Sequence, residues 1–512
     1  MGKRYYVTTP IYYVNDVPHI GHAYTTIAAD VIARFRRLRG DNVFFLTGTD
    51  EHGQKIERTA HASGIEPIEL ADRVVLRFKK LWETLDITND DFIRTTEDRH
   101  KRAVQEIFRI IEGKGDIYLG EYEGWYDVRN EAFVTETQLE EYMNLPESAR
   151  PPLERIKEES YFFRLSKYQE KLLDHYRQRP EFIQPKNRRN EVIRFVEGGL
   201  KDLSVSRTTF SWGIPVPGDP KHVIYVWFDA LTNYLTAAGF PDNSETLNET
   251  WPADIHLVGK DILRFHAFYW PAFLMSAGLA LPRQVFAHGW WTVEGEKMSK
   301  SLGNVVDPYT IVEEFGQDAF RYFLLREMPF GQDGDFSRSS IIGRINGELA
   351  NGLGNLVSRT VGMIKKYSGG VIPAPGGLLQ TDINVRENAL RSAREFDEYM
   401  DEIAFNKSLS TLWDQIGLVN KYIDESAPWS LAKAGERERL DTVLWVLVES
   451  IRIVAILVYP FMPGSATEIW RLLGYRQRLE SVRISDAKEW GRTSPGSNVG
   501  DLKSIFPRWD SK

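Results

Sequence analysis

Hydrophobic and polar positions near the N-terminus follow first the period of a strand and then that of a helix. Residues 4–9 alternate and are β-rich, which predicts a strand, and Ala23 to Arg39 have helical periodicity that stops at Gly40, a residue suited to a helix C-cap. Val43 to Thr47 form a short apolar run typical of a buried strand, and Gly48 to Gly53 are predicted as the loop after it. This order of strand, helix and strand predicts a parallel, doubly wound sheet.

The regular pattern of strands and helices is then interrupted and later resumes. Between about residues 116 and 220, aromatic residues, turn residues and charges alternate, and helical periodicity is confined to Ser166 to Arg177. We interpret this stretch as an inserted α+β domain. Three further strands are then expected, at Val223 to Phe228, Ile255 to Val258 and Phe286 to Val293. One or two helices are expected over Asp307 to Leu325.

Beyond about residue 340 nearly all of the sequence has the period of a helix, which is typical of a helix bundle. The stretch 369–377, rich in glycine and proline, is predicted as a loop between helices. The most apolar stretch, Val443 to Met462, carries Glu449 and Arg452, so it predicts a buried helix rather than a membrane span. The helical segments are 341–367, 384–401, 405–424, 436–459 and 464–473.

Charge and cysteine content exclude some classes of protein. The chain of 512 residues has 64 basic and 72 acidic residues and a net charge of −8, whereas a protein that coats nucleic acid is normally basic. A local basic track is still compatible with that balance. The sequence contains no cysteine, which excludes disulfides and cysteine-ligated zinc. No signal peptide precedes the first strand, so a cytoplasmic protein is expected.

The first chemical signal is His19-Ile20-Gly21-His22, at the predicted start of the first helix. Free backbone N–H groups and the positive end of the helix dipole attract anions there, and two imidazoles three residues apart add donors on one face. Gly21 leaves room for a nucleotide to approach the backbone. Two unrelated surface histidines near a helix start are the alternative interpretation.

The second signal is Lys297-Met298-Ser299-Lys300-Ser301, on a loop between Gly295 and Gly303. Two lysines are point charges suited to the non-bridging oxygens of a triphosphate, and the glycines permit movement. The gain is greatest where such contacts strengthen as pyrophosphate departs. A solvated basic loop is the alternative. Together, the two motifs predict a site that attacks the α-phosphate of ATP and expels pyrophosphate.

These motifs resemble the HIGH and KMSKS signatures of the class I aminoacyl-tRNA synthetases. Further segments resemble the methionyl-tRNA synthetases among them, and the resemblance covers nearly the whole chain. The matching segments are Tyr12 to Asn15, Pro18 to His22, Gly48 to Gly53, Tyr225 to Ala230, Gly259 to Ile262 and Pro428-Trp429.

The resemblance implies the activity of that family, methionine–tRNA ligation. The methionine carboxylate attacks the α-phosphorus of ATP in line, pyrophosphate leaves, and the adenylate acylates the 2′-hydroxyl of the 3′-terminal adenosine of tRNA(Met). The product would serve translation initiation and elongation. Positioning and charge stabilisation carry such a reaction without a covalent enzyme intermediate. Magnesium is expected on the phosphates of ATP.

The resemblance also implies site residues. Catalysis is expected from His19, His22, Lys297 and Lys300. ATP is expected to bind His19, Gly21, His22, Gly259, Asp261, His288 and Lys300. Methionine is expected to bind Ile11, Tyr13, Asp50, Trp227, Ala230, Tyr234, Ile262, Phe265 and His266. The anticodon is expected to bind Asn355, Arg359 and Trp429, although the last two are also compatible with purely structural positions on helix surfaces.

The residue types agree with these roles. Asp50 at a strand end can pair with the ammonium of methionine, aromatic walls suit a polarisable thioether, and His266 or Tyr13 could offer the sulfur a polar contact. Shape must supply part of the selectivity, since one methylene is worth only about 1–3 kcal/mol. Without the motifs, Trp227 and Phe265 would be assigned to core packing. Unpaired anticodon bases are recognised by aromatic stacking and edge hydrogen bonds.

The fold class predicted from these patterns is α/β. It comprises a Rossmann-like, doubly wound parallel-sheet catalytic domain with an inserted α+β connective domain, followed by an all-α helix-bundle anticodon-binding domain. The expected segments are 1–115 and 221–290 for the catalytic domain, 116–220 for the insert, 291–340 for the KMSKS loop and stem-contact region, 341–475 for the bundle, and 476–512 for a C-terminal extension that packs back.

The inserted domain departs from the family pattern. Members commonly carry a zinc knuckle there, but Asp127 and Asn130 stand where a Cys-x-x-Cys pair would be, and the second pair is missing from Pro146 to Pro152. We therefore expect no zinc in this knuckle. The C-terminal tRNA-binding or dimerisation module of some relatives also has no counterpart, so a monomer is expected.

Two other functions compete with this interpretation. A different HIGH-bearing nucleotidyltransferase would join a small metabolite to AMP, but it needs neither the long insert nor the helical half. A synthetase that has lost catalysis would act as an RNA-binding or regulatory protein, but the intact His19, His22, Lys297 and Lys300 argue against that. Exchange of pyrophosphate into ATP, run with each amino acid, separates the three functions.

Overall fold

A parallel sheet forms the centre of the N-terminal part of the chain in this computed structural model, which describes residues 2–14, 17–127, 132–134, 136–146, 150–297, 305–501 and 504–509. Strands and helices are numbered along the chain. Seven of the described strands belong to the sheet: β1 (Arg4–Thr8), β2 (Tyr12–Tyr13), β3 (Asn42–Asp50), β4 (Asp91–Arg94), β8 (Ile183–Gln184), β13 (Ile255–Gly259) and β14 (Val285–His288). Their order is β4, β3, β1, β13, β14, β8, with β2 beside the end of β3, and each pairing is parallel.

Helices cover both faces of this sheet. Tyr6 and Val7 are adjacent and both fully buried, yet they belong to different hydrophobic clusters, and the same holds for Phe45 and Leu46. Successive side chains of a strand point to opposite faces, so each face packs on its own core. The helices of this part are α1 (Ile20–Arg39), α2 (Gln54–Ala62), α3 (Pro67–Thr84), α4 (Asp98–Gly113), α6 (Gln169–Gln178), α7 (Lys186–Glu197), α8 (Val226–Ala237), α9 (Ser244–Thr250) and α10 (Trp270–Ala277).

The first strand and the first helix lie where the sequence pattern predicts them. Helix α1 begins three residues earlier than the apolar periodicity does, because His19 caps it, and ends at Gly40 with φ of 91°. The Gly40 N–H donates to the carbonyls of Arg36 and Arg37, which closes the last turn.

Strand β3 is longer than predicted. Residues 48–50, expected in a loop, continue the strand as far as Asp50. A Cβ at position 48 would lie 2.1 Å from the carbonyl oxygen of Ile93 on the neighbouring strand β4. Gly48 therefore permits close approach of two strands rather than a turn, a distinction that composition alone does not reveal.

The inserted stretch contains two further sheets. One is antiparallel in the order β6 (Ala132–Phe133), β5 (Ile117–Asp127), β7 (Leu153–Phe163), β9 (Leu203–Ser204). The other has β12 (Asp219–Ile224) between β10 (Ser206–Arg207) and β11 (Pro215–Val216). Helix α5 (Glu136–Met143) lies between β6 and β7 along the chain. The predicted mixture of strands and helix is observed here.

The middle of the same stretch packs on the central sheet instead. Strand β8 pairs with β14, and helix α7, which the charged sequence Lys186 to Glu197 did not reveal, follows it. Val192 and Val196 are the buried positions of that helix, too few to give a helical pattern. The boundaries of the insert at residues 116 and 220 thus remain a prediction. Strand β8 lies between these boundaries along the chain but belongs to the central sheet.

Two predicted strands differ from the structure. In Val223 to Phe228, the strand ends at Ile224, belongs to the small antiparallel sheet, and gives way to helix α8 from Val226. A short apolar run does not distinguish a strand from a buried helix. Phe286 to Val293 divides into β14 and β15 (Trp291–Val293) because the chain turns at Gly289, whose α-carbon lies against the backbone of Gln332. Strand β15 pairs with β16 (Glu296–Lys297) and β17 (Gly334–Phe336).

The described chain from Pro308 to Leu472 is mostly helical, and beyond about residue 340 this agrees with the predicted helix bundle. Residues 307–325 form two helices, and a π-helical stretch, Ile345–Gly354, joins α13 to α14. The helices are α11 (Pro308–Phe315), α12 (Gln317–Arg326), α13 (Arg338–Arg344), α14 (Asn355–Ser368), α15 (Gln380–Asp401), α16 (Phe405–Ser426), α17 (Pro428–Ala434), α18 (Arg437–Val458) and α19 (Pro463–Leu472).

Helix α18 contains most of the apolar stretch and is buried in the helical half. Its Glu449 and Arg452 form an ion pair with both side chains almost fully buried. Glu449 also accepts hydrogen bonds from the backbone of Gly491 and Thr493, so the C-terminal tail packs back on this helix. In the described part of the chain, no helix combines the length and the apolar character that crossing a membrane requires.

A buried ionic cluster joins the catalytic part to the helical part. Asp30 on α1 is fully buried and accepts hydrogen bonds from Arg34 at 2.8 Å and from Arg321 on α12 at 2.6 Å. Arg321 also donates to the carbonyls of Leu85 and Phe461. Burial alone would raise the pKa of Asp30, but the two guanidinium groups outweigh it and hold the pKa below its usual value.

Replacing Asp30 by alanine is expected to destabilise the protein by about 3–5 kcal/mol, because the buried Arg321 would lose its carboxylate and the buried Arg34 would keep only the exposed Asp86. Chemical denaturation followed by tryptophan fluorescence measures the change. The control is Glu69→Ala, which removes an exposed pair with Arg73 and should cost less than about 1 kcal/mol. Equal losses in the two variants would contradict the importance of the buried cluster.

Candidate active site

A cavity of about 840 Å³ opens at the carboxyl ends of the central strands. It is lined by one residue from the end of each of four strands: Ile11 shortly after β1, Asp50 at the end of β3, Gly259 at the end of β13 and His288 at the end of β14. Parallel strands deliver their carboxyl ends to one edge of a sheet, which is where ligands of such folds bind.

The described residues predicted for methionine and for ATP line this one cavity. The methionine set is present in full: Ile11, Tyr13, Asp50, Trp227, Ala230, Tyr234, Ile262, Phe265 and His266. The ATP set is present except for Lys300, as His19, Gly21, His22, Gly259, Asp261 and His288. The structure thus brings these residues to one cavity, and their binding roles stay predictions.

Two hydrogen bonds fix the imidazoles of the first motif at the start of α1. The backbone N–H of Gly21 donates to Nδ1 of His19 at 3.1 Å, and the backbone N–H of His19 donates to Nδ1 of His22 at 3.1 Å. Because Nδ1 accepts in both rings, the neutral form of each ring carries its proton on Nε2. The rings stack with centroids 3.8 Å apart. Burial, with a smaller contribution from His19, places the pKa of His22 well below its usual value.

Gly21 has a packing role besides leaving room for a ligand. A Cβ at this position would lie 2.9 Å from Cε1 of His19. A side chain would therefore push the capping imidazole out of place. Gly259 plays a similar part on the other side of the cavity, where a Cβ would lie 2.5 Å from Oδ1 of Asp261.

His288 connects the end of β14 to helix α1. Its Nδ1 donates to the carbonyl of Gly289 at 2.8 Å, so its Nε2 accepts from the hydroxyl of Thr25 at 2.7 Å. Burial lowers the pKa of His288, which is consistent with a neutral ring. Both nitrogens are thus engaged within the protein, and in this arrangement His288 positions Thr25 and the backbone rather than presenting a donor to a phosphate.

Aromatic rings form the walls of the methionine half of the cavity. Trp227 at the start of α8 and Phe265 stack in parallel, with centroids 3.7 Å apart and planes 4° apart. Phe265 begins a π-helical segment, Phe265–Tyr269, and such widened turns are frequent at functional sites. An apolar slot bounded by flat rings suits a flexible, polarisable thioether.

His266 is part of a chain of hydrogen bonds behind this wall. Its Nδ1 donates to the carbonyl of Ile262 at 3.0 Å, and its Nε2 accepts from the hydroxyl of Tyr234 at 2.7 Å. Burial lowers the pKa of His266 to about 4, so the ring is neutral near pH 7. The polar contact from His266 to the sulfur that the residue type suggested is not available in this arrangement, because both ring nitrogens are used.

Asp50 stands at the end of β3 with 8% of its surface exposed, opposite Tyr13 in the register of β2 and β3. Two residues later, Nδ1 of His52 lies 2.7 Å from Asp229 on α8, and Asp229 also lies 2.7 Å from His100 on α4. All three members of this cluster are buried. The cluster ties the segment after Asp50 to the helix that carries Trp227 and Ala230.

The residues of the second motif are only partly described. Lys297 ends β16, which forms a hairpin with β15, and Lys300 lies outside the described residues. The hairpin turns at Glu294 and Gly295, both with positive φ, which is the geometry of a tight two-residue connection. Asp335 on β17 accepts hydrogen bonds from the hydroxyl of Thr292 at 2.6 Å and the N–H of Gly295 at 2.8 Å. The second motif thus begins at the end of a hairpin that Asp335 holds through hydrogen bonds to Thr292 and Gly295.

The predicted anticodon residues lie on the surface of the helical half. Asn355 and Arg359, one turn apart on α14, contact Asn420 at 3.3 Å and Asp424 at 2.5 Å, one turn apart on α16. Trp429, with 46% of its surface exposed, lies on α17, which follows α16 almost directly. Tryptophan, amide and guanidinium side chains are of the types that offer stacking and edge contacts to unpaired bases.

The stretch expected to lack zinc is described only in part. Asp127 is buried and accepts a hydrogen bond from Tyr142 at 3.3 Å, while Asn130 lies outside the described residues. Within the part of the chain that the structure covers, no group of three or more His, Asp or Glu side chains is arranged to hold a metal ion.

Sequence reasoning missed several residues of the cavity. Thr25 lies three residues after His22 on one helix face, so helical spacing could have found it. Trp290, between β14 and β15, had no such signal, because its place at the cavity depends on the turn at Gly289. The others include Tyr12, Tyr24, Asn233, Trp291, Thr292 and Val305.

The lowered pKa of His266 makes a prediction about stability. The folded protein keeps this ring neutral down to about pH 4, whereas the unfolded chain takes up a proton near pH 6.5. The unfolded state therefore binds more protons between these values, and the free energy of unfolding falls as pH drops from 6.5 to 4, by up to about 1.4 kcal/mol per pH unit from this group. Its contribution is fully present above pH 6.5.

Denaturant titrations at several pH values measure this slope. His266→Gln should make it shallower, because glutamine does not titrate, and His61→Gln, which changes an exposed histidine on α2, should leave it unchanged. Parallel slopes for wild type and His266→Gln would contradict a neutral His266 in the folded protein.

Comparisons with known proteins agree with this geometry. A family described as tRNA synthetases class I (M) matches residues 5–150 and 147–361, and one described as the anticodon binding domain of methionyl tRNA ligase matches residues 372–499. Methionine–tRNA ligase of Caldanaerobacter subterraneus is 53% identical over 512 residues, 100% of this chain and 80% of its own. That of Rickettsia conorii is 50% identical over 515 residues, all of both chains.

Solved structures extend the match to three dimensions. Mycobacterium tuberculosis methionyl-tRNA synthetase in complex with methionyl-adenylate superposes with a TM-score of 0.94 at 48% identity, over 99% of this chain and 100% of that one. Its apo form gives a TM-score of 0.89 at 45% identity, over 100% of this chain and 99% of the other. The predicted fold class, a Rossmann-like catalytic domain followed by a helical anticodon domain, is confirmed. The chain belongs to the methionine–tRNA ligases, the methionyl-tRNA synthetases of class I.

Proposed function

We propose that the cavity at the strand ends is where methionine and ATP react to give methionyl-adenylate and pyrophosphate, and where methionine then passes to tRNA(Met). The observation that carries this proposal is that one cavity of about 840 Å³ joins an aromatic pocket with a carboxylate to the anion-attracting start of α1. Two reactants held in one enclosure react as one molecule would, which lowers the entropic part of the barrier.

The methionine is oriented by its two ends. The carboxylate of Asp50 pairs with the substrate ammonium, and the thioether packs beside the Trp227–Phe265 stack and against Ile262. The substrate carboxylate is then directed away from the apolar slot and toward the nucleotide. Selectivity against other amino acids comes mostly from the shape of the slot, because its histidine offers no unused N–H in this arrangement.

The triphosphate lies at the start of α1. The Nε2–H groups of His19 and His22 and the first backbone N–H groups of the helix donate to phosphate oxygens. An oxygen of the methionine carboxylate bonds to the α-phosphorus, and the bond from that phosphorus to the bridging oxygen breaks. Lys297 and Lys300 neutralise the charge that moves onto the departing pyrophosphate.

The second step uses the terminal adenosine of the tRNA. Its 2′-hydroxyl attacks the carbonyl carbon of the adenylate, the carbonyl–phosphate bond breaks, and AMP leaves with the electron pair. Asn355, Arg359 and Trp429 bind the anticodon on the helical half. Support for a bound tRNA comes from the anticodon-domain match over residues 372–499.

Magnesium is proposed to arrive on the phosphates of ATP. The carboxylates that line the described cavity are Asp50 and Asp261, which are too few and too differently engaged to form a magnesium site of their own. The absence of zinc from the knuckle, a monomeric state and a cytoplasmic location are predictions from the sequence.

The reaction itself is tested by exchange of pyrophosphate into ATP with each amino acid in turn. Methionine alone should support exchange, and Lys300→Ala should slow it about a hundredfold while leaving the methionine KM nearly unchanged. Lys80→Ala, which removes an exposed lysine on α3, is the control. Unchanged exchange in Lys300→Ala would refute the role of the lysine. If no amino acid supports exchange, the result would favour an RNA-binding protein without catalysis.

The anticodon surface is tested separately. Trp429→Ala should lower kcat/KM for charging of tRNA(Met) about tenfold or more, the value of one stacked base, while leaving methionine-dependent exchange intact. Leu379→Ala changes another exposed apolar side chain of the helical half and should affect neither activity. If Trp429→Ala reduces exchange and charging equally, the tryptophan is structural.

A further inference from the structure

A carboxylate with two imidazoles is buried beside the cavity and belongs to neither sequence motif. Asp229 on α8 contacts Nδ1 of His52 through one oxygen and Nε2 of His100 on α4 through the other, each at 2.7 Å. The three side chains are at most 3% exposed, and none of these three lines the cavity. The segment after β3, helix α4 and helix α8 thus meet at one acidic side chain.

Asp229 is ionised in spite of its burial. Burial alone would raise the pKa of Asp229, but His52 and His100 outweigh burial and hold the pKa below its usual value. Because a carboxylate only accepts hydrogen bonds, the two ring nitrogens that face it both carry protons. Hydrogen bonds to a charged acceptor are stronger than those between neutral groups, and a buried charge separated from its donors would remain desolvated. The cluster therefore resists displacement of any of its three segments.

The bond from His52 to Asp229 joins the two halves of the methionine pocket. His52 follows Asp50, the last residue of β3, by two positions, and Asp229 lies between Trp227 and Ala230 along the first turn of α8. Asp50, Trp227 and Ala230 all line the cavity. One methionine must reach its ammonium partner and its thioether slot together, so the separation of these two walls decides whether both contacts form at once.

The residue between Asp50 and His52 is held from a different direction. Glu51 is fully buried, its carboxylate accepts from Arg94 on β4 at 2.7 Å, and its backbone N–H donates to the hydroxyl of Thr95 at 2.9 Å. These partners belong to β4 and to the residue after it, so they anchor the segment to the sheet. The bond from His52 is the contact that reaches from this segment to Asp229 on α8.

We propose that Asp229 is a positioning residue for methionine, which sets the distance between Asp50 and the aromatic slot through its bond to His52. The inference rests on the proposed function, because it requires that Asp50 pairs with the substrate ammonium. Asp229 itself does not touch the substrate. Its effect on binding passes through Asp50 and therefore depends on whether the ligand carries an ammonium group. His100 holds the second carboxylate oxygen from α4.

The test compares ligands with and without an ammonium group. Methioninol keeps the ammonium and the thioether of methionine, whereas desamino-methionine keeps the thioether and the carboxylate. Each is measured as an inhibitor of methionine-dependent pyrophosphate exchange, beside the KM values for methionine and ATP. Asp229→Asn removes the charge and keeps the size of the side chain. The control Glu449→Gln does the same to a buried carboxylate on α18 in the helical half.

Asp229→Asn should raise the methionine KM and the inhibition constant of methioninol about tenfold, because a neutral amide holds His52 less firmly than a carboxylate does. The inhibition constant of desamino-methionine and the KM for ATP should stay close to their wild-type values. Glu449→Gln should change none of these quantities. The proposal is overturned if Asp229→Asn leaves the methionine KM unchanged, or if it weakens desamino-methionine as much as methioninol.

A second pair of variants keeps the charge of Asp229, which separates position from charge and keeps the test decisive if Asp229→Asn does not fold. His52→Ala removes the donor to Asp229, whereas His52→Asn offers an amide N–H at the same number of bonds from the backbone as Nδ1. His52→Ala should weaken methioninol but not desamino-methionine, and His52→Asn should recover most of that loss. Equal impairment of the two variants would overturn the proposal.

Failure of the proposed function would look different. If the wild-type protein supports no methionine-dependent exchange, the proposed function is refuted. If wild-type exchange is normal and the variants show no ammonium-dependent loss, the proposed function stands and the positioning role of Asp229 is refuted.

Discussion

The parallel direction of the central strands is the constraint on which the rest of the structure depends. Because β1, β3, β13 and β14 all run the same way, their carboxyl ends meet at one edge, and the residues that follow them face a common space. The same constraint turns helix α1 so that its N-terminus, with His19 and His22, opens at that edge. Residues far apart in sequence, such as Asp50 and His288, thereby line one cavity.

Helix α1 also connects this cavity to the helical half of the protein. Its first turn presents the imidazoles, and its middle holds Asp30, on which Arg34 and Arg321 converge. Arg321 then bonds to carbonyls at Leu85 and Phe461. A fully buried ionic cluster tolerates little displacement, since a charge separated from its partner would remain desolvated. Helix α1, and with it the start of the helix at the cavity, is therefore held by contacts that reach the helical half through Arg321.

The sequence was most informative where local chemistry and local structure coincide. The His-Ile-Gly-His motif lies at a helix start that the periodicity from Ala23 to Arg39 already predicts, so both the helix and the place of the motif at its start could be inferred. The residues expected to bind methionine were named from the family resemblance, and each of them lines the cavity. Their packing, such as the parallel stack of Trp227 on Phe265, depends on where two helices meet and has no signature in the sequence.

The misinterpreted segments share a physical cause. Gly48 lies inside a strand because a neighbouring backbone passes close to it, and Val226 to Phe228 begin a helix although they are as apolar as a strand. Strand β8 and helix α7 were not predicted, because two paired residues and two buried valines give almost no hydrophobic periodicity. Trp290 belongs with these, since a tertiary turn at Gly289 brings it to the cavity.

The electrostatics of the cavity follow from how its imidazoles are held. Burial lowers the pKa of His22, His266 and His288, and the hydrogen bonds of each ring fix which nitrogen carries the proton. These rings therefore act as dipolar donors or positioning groups, and near pH 7 they do not supply positive charge. Adenylate formation nevertheless moves negative charge onto pyrophosphate, which a neutral N–H stabilises less than a cation does. In the proposed reaction the lysines of the second motif supply the positive charge that the neutral imidazoles lack, which would explain why the sequence carries a cationic segment in addition to the two histidines at the start of α1.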